Sequence, residues 1–168
     1  MIKNSNGIVN SSDMNIQLKR TNSTDADFQH LVNYLNDYLA KIDGEDHEFY
    51  SQFNHIDQLN HVVVAYVNNQ PVACGAMKLS EPGSMEIKRM YTLESVRGKG
   101  LAKRVLSALE EWAIELGHHT CILETGIRQP DAIALYKKMG YKRIDNYGQY
   151  VGIENSRCFE KKLTNERV

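Results

Sequence analysis

Val96-Arg97-Gly98-Lys99-Gly100-Leu101-Ala102-Lys103-Arg104 is the stretch on which the reading of this chain turns. A β-type run, Met85 to Thr92, leads into it. A helical pattern follows at once, with Leu101, Val105, Leu106, Leu109, Trp112, Ala113 and Leu116 recurring at helical spacing. The spacing predicts a helix starting near Lys99. Its first turn carries Lys99, Lys103 and Arg104, with Arg97 just before. A helix N-terminus has a partial positive charge and favours anions, so these cations have the wrong sign for capping. Gly98 and Gly100 let backbone N–H groups approach a ligand closely. Cations, free N–H donors and a helix dipole converging on one point call for a phosphate or pyrophosphate. A plain turn ringed by solvated basic side chains is the simpler alternative.

Two common phosphate loops fail the test. The Walker pattern needs Ser or Thr after Gly-Lys, and here Gly100 is followed by Leu101. The dinucleotide fingerprint needs a third glycine where Lys103 stands. Downstream, Thr120-Cys121-Ile122-Leu123-Glu124-Thr125 reads as a strand, and Ala132-Ile133-Ala134-Leu135-Tyr136-Lys137-Lys138-Met139-Gly140-Tyr141 as a short helix ending at a glycine.

The loop Arg97-Gly98-Lys99-Gly100-Leu101-Ala102 and the later Leu135-Tyr136-x-x-x-Gly140-Tyr141, in this order and spacing, resemble the two signatures of the GNAT family of N-acetyltransferases. The motifs cover residues 84 to 145. The resemblance implies a central mixed, mostly antiparallel sheet and acetyl-CoA as co-substrate. It implies a pyrophosphate held on the N–H groups of Gly98, Lys99, Gly100 and Ala102, with Arg97 and Lys103 supplying charge. Acetyl transfer needs a neutral amine, a polarised thioester, donors for the developing oxyanion and a proton for the departing thiolate. The resemblance implies that Tyr136 gives that proton; a phenol of pKa ~10 stays protonated at neutral pH. The bland alternative is a packed core aromatic. Backbone donors around Met90 and Tyr91 would serve the oxyanion. Glu86, in the same strand, is the candidate base, with Glu124 on the neighbouring strand in reserve. If that strand is regular, positions 86, 88, 90 and 92 share one face; a solvated Glu86, or one paired with Lys88 or Arg89, is the alternative. Where many relatives carry Asn, this chain has Gln129, so that role is not transferred. An acetyl-CoA-binding sensor with little turnover would keep the same loop; Tyr136 favours the catalyst.

Composition agrees. The chain has 168 residues, 42% hydrophobic content and a formal charge of −1. That suits one compact domain and argues against a nucleic-acid partner recognised through global charge. No apolar run is long enough for a membrane span, and no signal-peptide pattern is present. Cys74, Cys121 and Cys158 are few, odd in number and widely spaced, as expected of core thiols in a reducing, cytoplasmic setting.

Residues 1–13, rich in Asn and Ser, read as a flexible tail, with Met14 an alternative start and 14–168 a single N-acetyltransferase domain. Asn15–Lys19 reads as a strand and Asp25–Ile42 as a helix capped by Thr24. A short helix over Glu45–Phe53 follows, then strands His61–Val67 and Pro71–Leu79 joined by Asn68-Asn69. Glu81-Pro82-Gly83 turns the chain into the strand before the loop. Pro130 and Asp131 suit a first helical turn. Tyr141–Ile144 and Arg157–Leu163 close the chain as strands. Strands and helices in this order give an α/β or α+β sheet with helices on both faces.

The resemblance implies an amine acceptor, small-molecule or peptide. The acidic run Asp43-Gly44-Glu45-Asp46-His47-Glu48 borders its site by the family resemblance, although capping and solubility explain these acids more simply. Tyr147, Tyr150 and Arg157 are further candidates for the acceptor pocket, Arg157 for a carboxylate. His118-His119 reads as a turn after Gly117, and no Cys/His pattern has metal spacing. Monomer and homodimer are equally compatible with the sequence.

Overall fold

The computed structural model describes residues 15–52, 55–56 and 59–164. The tail read over 1–13, Met14 and Phe53 lie outside the described residues. Seven strands form one sheet among them: β1 (Ile16–Thr21), β2 (His61–Val67), β3 (Gln70–Glu81), β4 (Ser84–Thr92), β5 (Thr120–Gly126), β6 (Lys142–Ile144) and β7 (Ser156–Lys162). Their order is β1-β2-β3-β4-β5-β7-β6. Only β4 and β5 pair in parallel; every other neighbour pair is antiparallel. The helices are α1 (Ala26–Asp43), α2 (His47–Ser51), α3 (Leu101–Glu115) and α4 (Pro130–Lys138). The mixed, mostly antiparallel sheet is the one expected. No helix among the described residues is long and apolar enough to cross a membrane.

Both sheet faces are covered, because alternate strand residues point to opposite sides. Val63 and Ala65 join Leu101, Val105, Leu106 and Leu109 of α3, and α4 packs against the same cluster. Val62 and Val64 instead meet Phe28, Leu31 and Val32 of α1. Fully burying each such aliphatic or aromatic side chain stabilises the fold by roughly 1.5–3 kcal/mol. The three cysteines are free and buried. Asn68 and Asn69 take φ of 49° and 67°, so the hairpin turns through two left-handed residues, as Asn tolerates.

The cap of α1 is Asp25, one residue later than expected: its Oδ1 accepts from Phe28 N at 3.0 Å. The Thr24 hydroxyl is occupied by Asn22 Oδ1 at 2.6 Å. The helix after the glycine-rich loop likewise starts at Leu101 and not near Lys99, because Gly98 and Gly100 both sit at φ 79°. Leu116, expected on its apolar face, lies just past the helix and is exposed. The short helix is split into a 3-10 turn over Gly44–Asp46 and α2.

Two irregularities of β4 build the site. The first is where its ladder with β5 ends. Pairing covers Ser84–Glu86 against Thr120–Ile122, while β4 runs on to Thr92 and β5 to Gly126. The sheet therefore opens as a wedge beyond Glu86. The second is a bulge. Cys74 pairs with Tyr91 and Ala76 with Lys88, so Gly75 alone faces both Arg89 and Met90, and Arg89 takes φ 57°. The bulge reverses the alternation. Met85 and Ile87 pack on the α3 side, but so does Met90, while Tyr91 turns to the α1 side. The expectation that 86, 88, 90 and 92 share a face thus fails at 90, because the extra residue shifts the period by one.

Gly75 makes room for the bulge. A Cβ there would lie 2.4 Å from Met90 Sδ and 3.0 Å from both Leu109 Cδ1 and Val105 Cγ1. Gly75→Ala should therefore cost ~1–3 kcal/mol by overpacking, read as a lower thermal midpoint. Adding Met90→Ala should cost less than the two single changes summed, since the methionine end is what the new methyl displaces. Strict additivity would disprove the assigned clash.

Candidate active site

Two hollows meet in the wedge between β4 and β5. The larger, about 520 Å³, runs along the glycine-rich loop. Gly98, Gly100, Ala102 and Lys103 line it on one side, with Met90 and Tyr91 of β4 behind them. Lys99 is not among its lining residues. The first intrahelical donor of α3 is Arg104 N, which reaches Gly100 O at 3.1 Å. The N–H groups of Leu101, Ala102 and Lys103 are thus left for other acceptors. No acid stands in the first turn of α3 and no side chain caps it. That donor set, with Lys103 beside it, fits a pyrophosphate. Arg97 is partly committed elsewhere: its Nε donates to Thr92 O at 2.9 Å, and its guanidinium stacks on Tyr38 and Tyr91 at 5.5 and 5.6 Å.

The smaller hollow, about 110 Å³, is polar. Asp43, Glu86, Lys88, Arg89, Glu124 and Tyr150 contribute to it, with Leu35 and Leu39 of α1 as an apolar wall. Glu86 is buried, accepts from the Tyr147 hydroxyl at 2.7 Å and pairs with Lys88 at 3.7 Å. Glu124 is partly buried. Desolvation and the neighbouring Glu86 charge push its carboxyl up to about 8, against the opposing pull of Lys88. Burial also raises Asp43.

Tyr136 lines both hollows, together with Leu35, Met90 and Gln129. It is 6% exposed. Burial, and then the charge of Glu124, hold its hydroxyl above the ordinary phenol range, so it stays a donor. Its ring meets Tyr141 edge-on at 5.8 Å. Tyr141 in turn donates to Glu110 Oε2 at 2.8 Å, and Lys161 holds Glu110 Oε1 at 2.8 Å. This buried network fixes the wall against which Tyr136 rests.

The family model of the acetyltransferase (GNAT) family matches residues 28–141, a span that holds both hollows except Tyr150. The chain belongs to this family. An IAA acetyltransferase of Azospirillum brasilense is 35% identical over 102 residues, covering 60% of this chain and 67% of that protein. The Escherichia coli N-acetyltransferase YjgM is 44% identical over 66 residues, covering 39% of this chain and 40% of its own length. Among solved structures, a Klebsiella pneumoniae protein assigned as an acyl-CoA N-acyltransferase superposes with a TM-score of 0.75 at 31% identity, covering 92% of this chain and all 100% of that one. The PaiA N-acetyltransferase of Thermoplasma acidophilum, solved with coenzyme A, has the same fold: its TM-score is 0.63 at 18% identity, with 89% and 99% covered.

In this GNAT protein the structure brings together Tyr136, Glu86, Glu124, Met90, Tyr91 and the loop residues Arg97, Gly98, Gly100, Ala102 and Lys103. It does not bring Arg157, which borders a separate hollow with Arg143 and Asp145. The β7 register turns Arg157 away: its Nη1 donates to Ser156 O at 3.0 Å. Of the acidic run, Asp43 reaches the small hollow. Asp46 is a tie, accepting from Arg128 at 3.0 Å and Asn155 at 2.7 Å, while Glu45 and Glu48 are exposed. Tyr150 lines the hollow, and Tyr147 acts through Glu86. Gln129 lines both hollows at the start of α4, with Pro130 in the first turn as expected. By sequence Arg89 is a candidate pairing partner for Glu86. The bulge sends it elsewhere, and its sole trace in the sequence is the small residue Gly75 opposite. Among the described residues no group of three or more His, Cys, Asp or Glu is placed to hold a metal.

Proposed function

We propose that this protein transfers the acetyl group of acetyl-CoA to a primary amine by direct attack in a ternary complex. The observation that carries the reading is Tyr136 at the junction of a long hollow rich in free N–H donors and a short acidic one. The thioester supplies an activated acyl group with a thiolate leaving group. The loop N–H groups and Lys103 hold the pyrophosphate, so the thioester end extends toward Met90. Beyond Glu86 the β5-facing edge of β4 has no strand partner among the described residues, which leaves backbone donors near Met90 and Tyr91 for the carbonyl oxygen.

Two carboxylates serve the amine. Glu86, anchored by Tyr147 and Lys88, faces the ammonium. Glu124, with its carboxyl at about 8, takes the ammonium proton and passes it to solvent. The neutral nitrogen then forms the N–C bond as the C–S bond breaks. Tyr136 protonates the thiolate, and the second amine proton leaves to water, from which Tyr136 is reprotonated. One proton is released in all.

Calorimetric titration with acetyl-CoA, followed by amine-dependent thiol release, tests the whole reading. Micromolar binding and amine-dependent thiol are expected; no binding at millimolar acetyl-CoA overturns it. The base is tested by pH. Glu124 works only when ionised, so kcat should rise with pH about tenfold per unit and level off above about 8. Glu124→Gln should lower kcat ~10²–10⁴-fold and remove that inflection. A Gln variant that keeps both the inflection and the wild-type plateau would show that another group takes the proton.

A further inference from the structure

Lys88 and Arg89 are adjacent in sequence and both border the small hollow, yet their surroundings differ. Lys88 has Glu86 at 3.7 Å. Arg89 is 7% exposed, and among the described residues no carboxylate pairs with it. Its Nη2 donates to the neutral amide oxygen of Asn36, and its buried Nε has no partner among the described residues. Burial lowers the guanidinium to about 10, which leaves it charged at neutral pH. The Cys74 thiol raises its proton affinity and Lys88 is a neighbouring like charge, whereas Glu86, Lys88 and Asp43 all act on Glu124. The hollow is therefore lined by three acids, Asp43, Glu86 and Glu124, and by a buried cation, Arg89, that no carboxylate among the described residues pairs with.

A buried charge with no counterion is costly, and so is a left-handed arginine. Arg89 bears both, at φ 57° on the bulge that aims it. Nothing in the core needs a guanidinium there: the cluster around Cys74 and Ala76 is apolar. An anion entering the hollow would supply the missing partner, and an arginine fork matches a carboxylate. The ammonium of the same molecule would face Glu86 and Glu124. With a volume of about 110 Å³, the hollow suits a small acceptor.

We infer that the acceptor is a small amino carboxylic acid, and that Arg89 receives its carboxylate while Glu86 and Glu124 receive its amine. This rests on the acetyltransferase reading above. Arg89 is then the residue that sets acceptor specificity, standing next to Met90, which borders both hollows.

The test uses the wild-type protein at saturating acetyl-CoA with matched acceptors, each amino acid beside its carboxamide and its decarboxylated amine. Thiol release should favour the carboxylate ~10–100-fold in kcat/KM, the range of a hydrogen-bonded charge pair. Equal rates, or faster carboxamides and peptide N-termini, overturn the inference, as does a panel in which no amino acid is bound or turned over. Arg89→Met should collapse the acid-over-amide ratio to within threefold, chiefly through KM for the acid, and Arg89→Lys should restore part of it. A ratio that survives Arg89→Met places the carboxylate elsewhere and also overturns the inference. Acetyl-CoA titration of each variant reports whether it is folded, and the wild-type comparison stands without them. Failure of the wild type to bind acetyl-CoA is a different result, striking the acetyltransferase reading itself.

Discussion

Tyr136→Phe is expected to lower kcat about 100-fold while leaving the acetyl-CoA dissociation constant within threefold of wild type. The change removes one oxygen and keeps the ring. The edge-on contact with Tyr141 at 5.8 Å is a ring contact, and the Tyr141–Glu110–Lys161 network behind it does not use the Tyr136 hydroxyl. The thermal midpoint should therefore shift little. A 100-fold loss corresponds to ~2.7 kcal/mol of transition-state stabilisation, a fair share for a proton delivered to a departing thiolate. Burial and the charge of Glu124 both keep the phenol protonated, so the donor is ready across the working pH range. Stopped-flow or thiol-release kinetics with parallel calorimetry separate the outcomes. Unchanged turnover sinks the acid role. Loss of both turnover and thermal stability would make Tyr136 a packing residue.

Gly100→Val is expected to weaken acetyl-CoA binding by about 100-fold or more, ~2.7 kcal/mol. The cause is the backbone, since a Cβ at Gly100 would meet nothing within 4 Å. At φ 79° a β-branched residue is strained, so the loop must rotate to relieve it. Rotation swings Gly100 out of register with α3, and the free N–H groups of Leu101, Ala102 and Lys103 no longer converge on one point. Gly100→Ala should show a smaller loss of the same kind, because alanine tolerates the left-handed region better than valine. Calorimetry reads both variants, with thermal melting as the control for the fold. Affinity within threefold of wild type for the valine variant would remove the pyrophosphate from this loop.

The residues that made these positions legible share one property: their effect is local. Gly98 and Gly100 announce a turn, the spacing from Leu101 to Ala113 a helix, and Asn68-Asn69 a hairpin. Each is a preference of a few neighbouring residues, and each appears where expected to within two positions. The cap at Asp25 shows how fine the margin is. Thr24 and Asp25 are both good caps; Asp25 accepts from Phe28 N, while the Thr24 hydroxyl donates to Asn22.

Arg157 and Arg89 show the opposite case. Both are cations in strand-like runs, and nothing local distinguishes them. The register of β7 against β5 turned one away from the wedge, and a one-residue bulge opposite Gly75 turned the other into it. The same bulge parted Met90 from the face of Glu86 and Lys88. The proton affinity of Glu124 is equally non-local, arising from desolvation and from Glu86 on a strand far away in sequence.

By itself, then, the sequence determined the glycine-rich loop at the head of a helix, the order of strands and helices, and Tyr136 in its motif, because short-range backbone preference and apolar period specify these. Tertiary structure alone decided where the β4–β5 ladder stops, which charges share the small hollow and which cation is left without a partner. Those depend on strand register and burial, and both are settled only when distant segments pair.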